Sequence, residues 1–170
     1  EKYFSNTKEI YFYKCLDSGY QFYTPFDTAG DDFFYEKLEK FDWYYMKYKW
    51  ENLIAEKYIK DGDRVIEVGC ARGDFLKRIS SKKNVSVEGL ELNSAAAKKA
   101  EEQGVTAHVE FIEDFSKNNQ DKYDVICTFQ VLEHISNPKS FIDSCLSALK
   151  KGGLLIIGVP NNDSFISKDA

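Results

Sequence analysis

The sequence lacks long apolar runs, an excess of positive charge and a leader-like start. No stretch approaches the roughly 18 consecutive apolar residues that a membrane span needs, and the first residues lack the charged-then-apolar order of a signal peptide. Lys and Arg number 23 against 28 Asp and Glu, so the net charge of −5 provides no broad basic field for nucleic acid. We therefore expect a soluble, cytoplasmic protein that binds neither membranes nor nucleic acid. The sequence does not indicate its oligomeric state.

Cysteine is also scarce, and the four cysteines are scattered along the chain, which excludes a dense disulfide framework. Cys70, Cys127 and Cys145 lie in or beside apolar segments, so we predict that they are buried free thiols. Cys15 is followed by Ser18 at the spacing of half a zinc knuckle in which one ligand is replaced. Because no second cysteine pair completes four ligands, we expect no metal site.

Aromatic residues are abundant but concentrated at one end of the chain. Residues 1–60 hold 10 of the 11 tyrosines, 7 of the 13 phenylalanines and both tryptophans. This change in composition indicates two regions with different roles. We divide the chain into an aromatic-rich segment, 1–43, interpreted as a lid or a degenerate zinc knuckle, and a core domain, 44–170.

A helix is predicted where the two regions meet, because apolar residues recur at helical spacing over 44–59. Its rings have two interpretations, a layer that packs over the core and a lid that covers a ligand. We favour the lid, with Tyr44, Tyr45 and Tyr48 over the site, since ligand pockets are usually lined by aromatic groups.

Strands and helices alternate in the second region. β-rich apolar runs are predicted as strands at 64–68, 85–90, 107–111, 123–129 and 154–159. Helices separate most of them, and this alternation predicts an α/β, Rossmann-like, doubly wound, mostly parallel sheet with helices on both faces. Ligands in such sheets bind beyond the carboxyl ends of the strands.

Two helix boundaries carry their own signals. Ser94 is predicted to cap a helix over 95–102, and Asn137 followed by Pro138 is predicted to begin a helix that ends at 150–153. The apolar face of the second helix is predicted to comprise Phe141, Ile142, Cys145, Leu146 and Leu149.

The first chemical motif follows the first strand of the core. Residues 67–73 read Glu-Val-Gly-Cys-Ala-Arg-Gly, a strand end that runs into a glycine turn before a helix. Gly69 and Gly73 let the backbone approach a ligand closely. A dinucleotide-binding turn has its outer glycines five residues apart, whereas these are four apart, so the spacing disfavours a nicotinamide cofactor. A tight turn that binds nothing is the structural alternative.

The second motif is a carboxylate at the end of the next strand. Glu91 lies 22 residues beyond Gly69, where a ribose-binding acid belongs. One carboxylate accepts hydrogen bonds from both ribose hydroxyls, while its charge would repel a phosphorylated ribose. The two motifs together therefore favour a nucleoside-type cofactor.

With these two motifs the chain resembles the class I S-adenosylmethionine-dependent methyltransferase family. Residues 67–73 are similar to the family's acidic-x-Gly-x-Gly-x-Gly segment, with Ala71 in place of the middle glycine. Residues 111–115 resemble the segment that holds adenine. Residues 129–135, and then 149–153 and 159–161, resemble the fourth-strand exit and the fifth-strand hairpin of the small-molecule branch. The resemblance covers roughly residues 44–162. It implies S-adenosylmethionine as cofactor and S-adenosylhomocysteine as product.

The resemblance also implies a set of cofactor-binding residues. Asp114, or alternatively Glu113, would accept the exocyclic amine of adenine. The full set consists of Glu67, Gly69, Cys70, Ala71, Gly73, Phe75, Glu91, Leu92, Asn93, Glu113, Asp114, Phe115, Phe129 and Gln130. The family's sheet has seven strands, of which five are found here, so we expect a chain truncated after the fifth strand.

Methyl transfer needs positioning of two reactants and, for some acceptors, a base. His134, just after the fourth core strand, is the candidate base, with a structural hydrogen-bonding role as the alternative. His108 lies inside a predicted strand and is interpreted as structural, and Cys70 has no histidine partner that would make it a nucleophile. The expected acceptor is a small molecule, with a sugar hydroxyl as first choice. A catalytically silent S-adenosylmethionine-binding protein and, less favoured, a nucleotide-cofactor oxidoreductase are the alternatives.

Overall fold

The computed structural model describes residues 9–25, 37, 41 and 49–161. The chain divides into two compact units, Glu1–Met46 and Lys47–Ala170. This boundary lies close to the division between 43 and 44 that composition predicted. Within the described residues, no helix has the length and apolar character needed to cross a membrane.

The described part of the first unit is an antiparallel hairpin. Strand β1 (Tyr11–Lys14) pairs with β2 (Gln21–Thr24), with Tyr13 opposite Phe22. These strands are not evident from the sequence, because aromatic side chains occupy both faces and hide the two-residue alternation of a strand. Cys15 opens the turn, where its N–H donates to the Tyr20 carbonyl over 2.8 Å. Among the described residues, no group of three or more acidic, histidine or cysteine side chains is arranged to hold a metal ion.

The predicted helix at 44–59 is observed in part, as α1 (Trp50–Ala55). The rings of Tyr44, Tyr45 and Tyr48 lie outside the described residues. Their role as a lid therefore stays a prediction.

The second unit is built on a five-stranded parallel sheet, which confirms the predicted fold class. The strands are β3 (Arg64–Val68), β4 (Ser86–Leu90), β5 (Thr106–His108), β6 (Tyr123–Phe129) and β7 (Leu149–Gly158), in the order β5-β4-β3-β6-β7. The helices are α2 (Asp74–Lys82), α3 (Ser94–Glu102), α4 (Ile112–Phe115) and α5 (Pro138–Ala148). Short 3₁₀ turns occupy Ser116–Asn118 and Leu132–His134. The reversal of strand order at β3 places the switch point of the sheet beside the glycine turn.

Each face of the sheet carries its own apolar cluster. Val65 of β3 contributes to one cluster, with Leu76 and Ile79 of α2, and Ile66 contributes to the other, with Phe141 of α5. Neighbouring strand residues point to opposite faces, so an apolar run without alternation indicates a strand covered on both sides. The two clusters hold the strand ends in place.

Two predicted boundaries and one predicted core residue differ from the structure. The third core strand stops at His108 rather than at residue 111, because the chain leaves the sheet edge there to begin α4. Asn93, not Ser94, caps α3: its side-chain oxygen accepts from the Ala96 N–H over 3.0 Å. Leu146 is 52 % exposed and does not belong to the buried face of α5.

The end of α5 also differs from the expected stop at 150–153. The helix ends at Ala148, and β7 begins at the next residue, Leu149. Pairing with β6 passes from Leu149 opposite Tyr123 to Leu154 opposite Val125, so the residues between form a bulge. Gly152 takes a left-handed φ of 82° in this bulge. The glycines therefore mark an irregularity inside a strand rather than a loop before it.

Candidate cofactor-binding and active site

The glycine turn lies at the carboxyl end of β3, as predicted. The N–H groups of Gly69 and Cys70 donate to the Leu90 carbonyl over 2.8 and 3.0 Å, which ties the turn to the end of β4. Gly69 and Ala71 have φ of 79° and 48°, a conformation that only glycine adopts without strain. A strained non-glycine residue in such a turn is held by its surroundings and is typical of ligand-binding loops.

Glu91 supports this turn directly. Its Oε2 accepts from the Ala71 N–H over 2.9 Å, and its Oε1 accepts from the Asn93 N–H over 2.8 Å. The backbone N–H of Glu91 donates to the His108 carbonyl over 3.0 Å and fixes Glu91 where β4 and β5 end. A carboxylate has about four lone-pair sites, so each oxygen can accept more than one hydrogen bond. The sequence pointed to a ribose-binding role for Glu91 but did not reveal this second role as a brace for the turn.

Glu67 is buried next to the turn, with 6 % of its surface exposed. Its Oε2 has no hydrogen-bond partner among the described residues, so a buried acceptor is left for a ligand. Burial raises the pKa of Glu67 to about 8; the charge of Lys49 opposes the rise, and those of Glu91 and Asp74 add to it. Because a cation would satisfy the free oxygen and favour its ionised form, this residue fits a cofactor that carries a sulfonium and an ammonium group.

The raised pKa of Glu67 predicts a specific dependence of stability on pH. Its folded-state pKa of about 8 lies above the ordinary value of 4.5, so the stability associated with its protonated form is lost as pH rises between these values. In the absence of cofactor, we expect Glu67→Gln to raise the free energy of unfolding at pH 9 by more than about 1 kcal/mol. Chemical denaturation at pH 5 and pH 9 measures this difference, with the exposed Glu102→Gln as the matched control. An equal pH dependence in wild type and Glu67→Gln would contradict the assignment.

The segment after β6 packs against the glycine turn. A Cβ atom placed on Gly69 would lie 2.4 Å from Cγ2 of Val131, so the two segments touch where glycine leaves room. His134 is in the 3₁₀ turn that follows, with 61 % of its side chain exposed and its Nε2 3.9 Å from Glu133 Oε1. Gln130, at the end of β6, has a left-handed φ of 57°. His134 and Gln130 therefore lie at the same end of the sheet as the glycine turn. We call this end, formed by the carboxyl ends of the parallel strands, the carboxyl edge.

Several of the predicted cofactor-binding residues direct their side chains into the core. Phe75 and Phe129 pack edge to face, with ring centroids 5.3 Å apart, and Phe115 packs against the His108 ring at 5.1 Å. Cys70 is 4 % exposed, and burial raises the pKa of its thiol well above the ordinary value, so the thiol is neutral. These four residues can contact a ligand only through backbone or ring edge.

The other predicted cofactor-binding residues lie nearer the surface or in capping roles. Leu92 is 49 % exposed, and Asn93 is buried as the cap of α3. A Cβ on Gly73 would lie 3.0 Å from Ala100 Cβ, so this glycine allows close packing of α3. Asp114 pairs with Lys117 at 2.6 Å. Glu113 lines a cavity of about 420 Å³ between α4 and α5. The adenine-binding role of either acid stays a prediction.

Two residues at the start of α1 were not identified from the sequence. The positive charge of Lys49 acts on Glu67, and Oε1 of Glu51 lies 3.4 Å from Nε2 of Gln130. Glu51 also faces Gly158 at the end of β7, since a Cβ there would lie 3.6 Å from its side chain. No periodic signal distinguishes these residues from solvent-exposed charges on a helix. Only the fold brings them to the carboxyl edge.

The sheet carries a glycine turn at its switch point, with a buried carboxylate just before the turn and an acid suited to ribose at the end of the next strand. These features define a nucleoside-cofactor-binding α/β domain. The family profile of a methyltransferase domain matches residues 43–170. The chain therefore belongs to the class I S-adenosylmethionine-dependent methyltransferase family, and the implied cofactor is S-adenosylmethionine.

Individual relatives agree with this placement. A ubiquinone biosynthesis O-methyltransferase of Actinobacillus pleuropneumoniae is 36% identical over 110 residues, covering 59% of this chain and 47% of the relative. An uncharacterized protein of Methanocaldococcus jannaschii is 32% identical over 138 residues, covering 81% of this chain and 64% of that protein. The chain thus spans about half the length of the first relative and less than two thirds of the second.

A solved structure with the same fold comes from Thermotoga maritima. This protein, described as an S-adenosylmethionine-dependent methyltransferase and possible histamine N-methyltransferase, has a TM-score of 0.62 and 22% identity. The match covers 81% of this chain and 64% of that one. At this identity the similarity establishes the fold, and it leaves the acceptor to be argued from the site.

Proposed function

We propose that the protein transfers a methyl group from S-adenosylmethionine to a hydroxyl group of a small-molecule acceptor. The observation that carries the proposal is the convergence of Glu67, Glu91 and the turn at Gly69 on one edge of the sheet. The name of the A. pleuropneumoniae relative supports oxygen as the methylated atom. A sugar hydroxyl, favoured by the sequence resemblance, is the finer form of this proposal.

The chain's own groups have distinct roles in this reaction. Glu91 holds the ribose hydroxyls and braces the turn, and Glu67 accepts from the cationic end of the cofactor. When bound, S-adenosylmethionine supplies a methyl group on a positively charged sulfur. The protein then has to hold the acceptor oxygen in line and exclude water, and this positioning accounts for much of a rate enhancement. His134 takes the proton from the acceptor hydroxyl.

Isothermal titration with S-adenosylmethionine, S-adenosylhomocysteine and NAD tests the cofactor class. We expect binding of the first two and none of NAD, because the turn lacks the spacing of a pyrophosphate-binding loop. A methyl-transfer assay with hydroxyl compounds then separates an enzyme from a catalytically silent binder. Binding without transfer to any hydroxyl compound would support the silent binder, and binding of NAD alone would overturn the proposal.

If His134 is the base, replacing it should lower turnover without changing cofactor affinity. We expect His134→Ala to lower kcat for a hydroxyl acceptor about 100-fold or more, the range of general base catalysis. Affinity for S-adenosylhomocysteine should stay within about twofold, since the side chain is largely exposed beyond the turn. Rates of methyl transfer by the wild-type protein and the variant check this. A variant with unchanged kcat would leave His134 a structural role.

A further inference from the structure

Glu51 is a buried carboxylate at the carboxyl edge whose hydrogen-bonding capacity is mostly unused. It is 9 % exposed, and among the described residues its side chain has one hydrogen bond, the long contact of 3.4 Å with Gln130. No basic side chain of the described part forms an ion pair with it within 4 Å. Buried carboxylates are normally paired or hydrogen-bonded, so Glu51 is positioned for a partner that the described residues do not supply.

The partner of Glu51 within the chain is itself held in an unusual conformation. Gln130 has a left-handed φ of 57°, and its N–H donates to the Gly158 carbonyl over 2.8 Å. This bond fixes the point where β6 leaves the sheet and directs the chain toward Val131 and the glycine turn. Strain maintained by specific bonds at a strand end is typical of ligand-binding positions. Glu51 and Gln130 therefore form one polar pair at the ends of β6 and β7.

The position of Glu51 separates it from Glu67 and Glu91, whereas its partner Gln130 also belongs to the residues that the family resemblance implies for the cofactor. Glu67 is in β3 and Glu91 follows β4, whereas Glu51 and Gln130 lie at the ends of β6 and β7, the two strands on the other side of β3. A methyl acceptor has to approach from a different side than the nucleoside. The acceptor therefore has to bind at the carboxyl ends of β6 and β7. This is also the region from which the chain continues to His134.

We infer that Glu51 is an acceptor-recognition residue, whose carboxylate accepts a hydrogen bond from a hydroxyl or ammonium group of the acceptor and disfavours acceptors that carry a carboxylate. The inference rests on the proposed function. Glu91 adds negative charge at the same end of the strands, so an anionic acceptor meets repulsion and a cationic one attraction. Gln130 contributes the neutral half of the pair, an amide that both donates and accepts hydrogen bonds.

The experiment compares two amines with two acids that carry the same kinds of hydroxyl group. The wild-type protein, Glu51→Gln and Glu56→Gln are assayed for methyl transfer to glucosamine and glucuronate, and to dopamine and 3,4-dihydroxyphenylacetate. Glu51→Gln keeps a hydrogen-bonding side chain of the same shape and removes the charge. Glu56→Gln removes the same charge at the end of the same helix, where Glu56 pairs with Arg78 and Lys82 away from the carboxyl edge.

We expect wild-type kcat/KM for at least one amine to exceed that for its matched acid by at least about tenfold. In Glu51→Gln this ratio should fall at least about fivefold, mainly through KM, while Glu56→Gln keeps the wild-type ratio. Affinity for S-adenosylhomocysteine should be the same in all three proteins. An unchanged ratio in Glu51→Gln, with transfer intact, overturns the inference and leaves the proposed function standing. Wild-type protein that binds no S-adenosylhomocysteine overturns the proposed function itself, and binding without transfer to any of the four compounds overturns the hydroxyl acceptor and the Glu51 role together.

Discussion

Gly69→Val is expected to abolish measurable binding of S-adenosylhomocysteine. Valine has to adopt a φ near 79°, which is strained for any side chain with a Cβ and most so for a β-branched one. Its Cβ would also lie 2.4 Å from Cγ2 of Val131, so the turn and the segment after β6 have to move apart. Both effects displace the backbone that the cofactor approaches.

A second glycine separates these two effects. Gly62 also has a left-handed φ, 91°, but no atom lies within 4 Å of a Cβ placed there. Gly62→Val therefore tests strain alone, and we expect it to lower stability by about 1–3 kcal/mol and to leave cofactor binding intact. Isothermal titration and circular dichroism of both variants give the comparison. Normal binding by a folded Gly69→Val protein would show that the turn does not form the cofactor site. Should that variant not fold, Gly69→Ala combined with Val131→Ala provides the same test with the collision reduced.

Glu91→Ala is expected to weaken the affinity for S-adenosylhomocysteine roughly 30- to 150-fold. Charge-assisted hydrogen bonds to both ribose hydroxyls correspond to about 2 to 3 kcal/mol, which gives this range. The same change removes the acceptors of the Ala71 and Asn93 N–H groups, so the turn loses its brace as well. Titration calorimetry measures the combined loss.

Glu91→Gln distinguishes the two roles of this side chain. The amide retains one oxygen for the turn but loses the charge and one acceptor, so we expect an intermediate loss of affinity and a smaller loss of stability. An S-adenosylhomocysteine dissociation constant unchanged in Glu91→Ala would contradict the ribose assignment. Equal losses of affinity and stability in both variants would instead indicate that bracing the turn is the main role.

The sequence carried enough information for the sheet and the cofactor side of the site. Runs such as 64–68 and 123–129 are short and carry apolar residues on both faces, so they indicate buried parallel strands without any structure. The glycine turn and Glu91 are adjacent to strand ends and separated by a fixed number of residues, which makes their meeting predictable. These features depend on local sequence and on the rule that ligands of parallel sheets bind at the carboxyl ends of the strands, near the point where strand order reverses.

The contact between Glu51 and Gln130, which we propose faces the acceptor, was not predictable in the same way. Glu51 and Gln130 are 79 residues apart and meet only because α1 lies over the ends of β6 and β7. The brace between Glu91 and Ala71 joins residues 20 apart through a backbone group, which leaves no trace in side-chain identity. Similarly, the hairpin at β1 and β2 has aromatic residues on both faces, so its alternation cannot be recognised from hydropathy.

The bulge between Leu149 and Leu154 has a consequence for protein engineering. Lys151 and Gly152 are exposed at the start of β7, and a Cβ on Gly152 would have no atom within 4 Å. The proposed cofactor site is at the other end of the parallel strands, and the seven residues of β6 span about 20 Å between the two ends. A fluorophore or a short inserted loop at Lys151 would therefore report on the protein without crowding its ligand, because exposed irregular positions tolerate insertion better than strand ends that form a site.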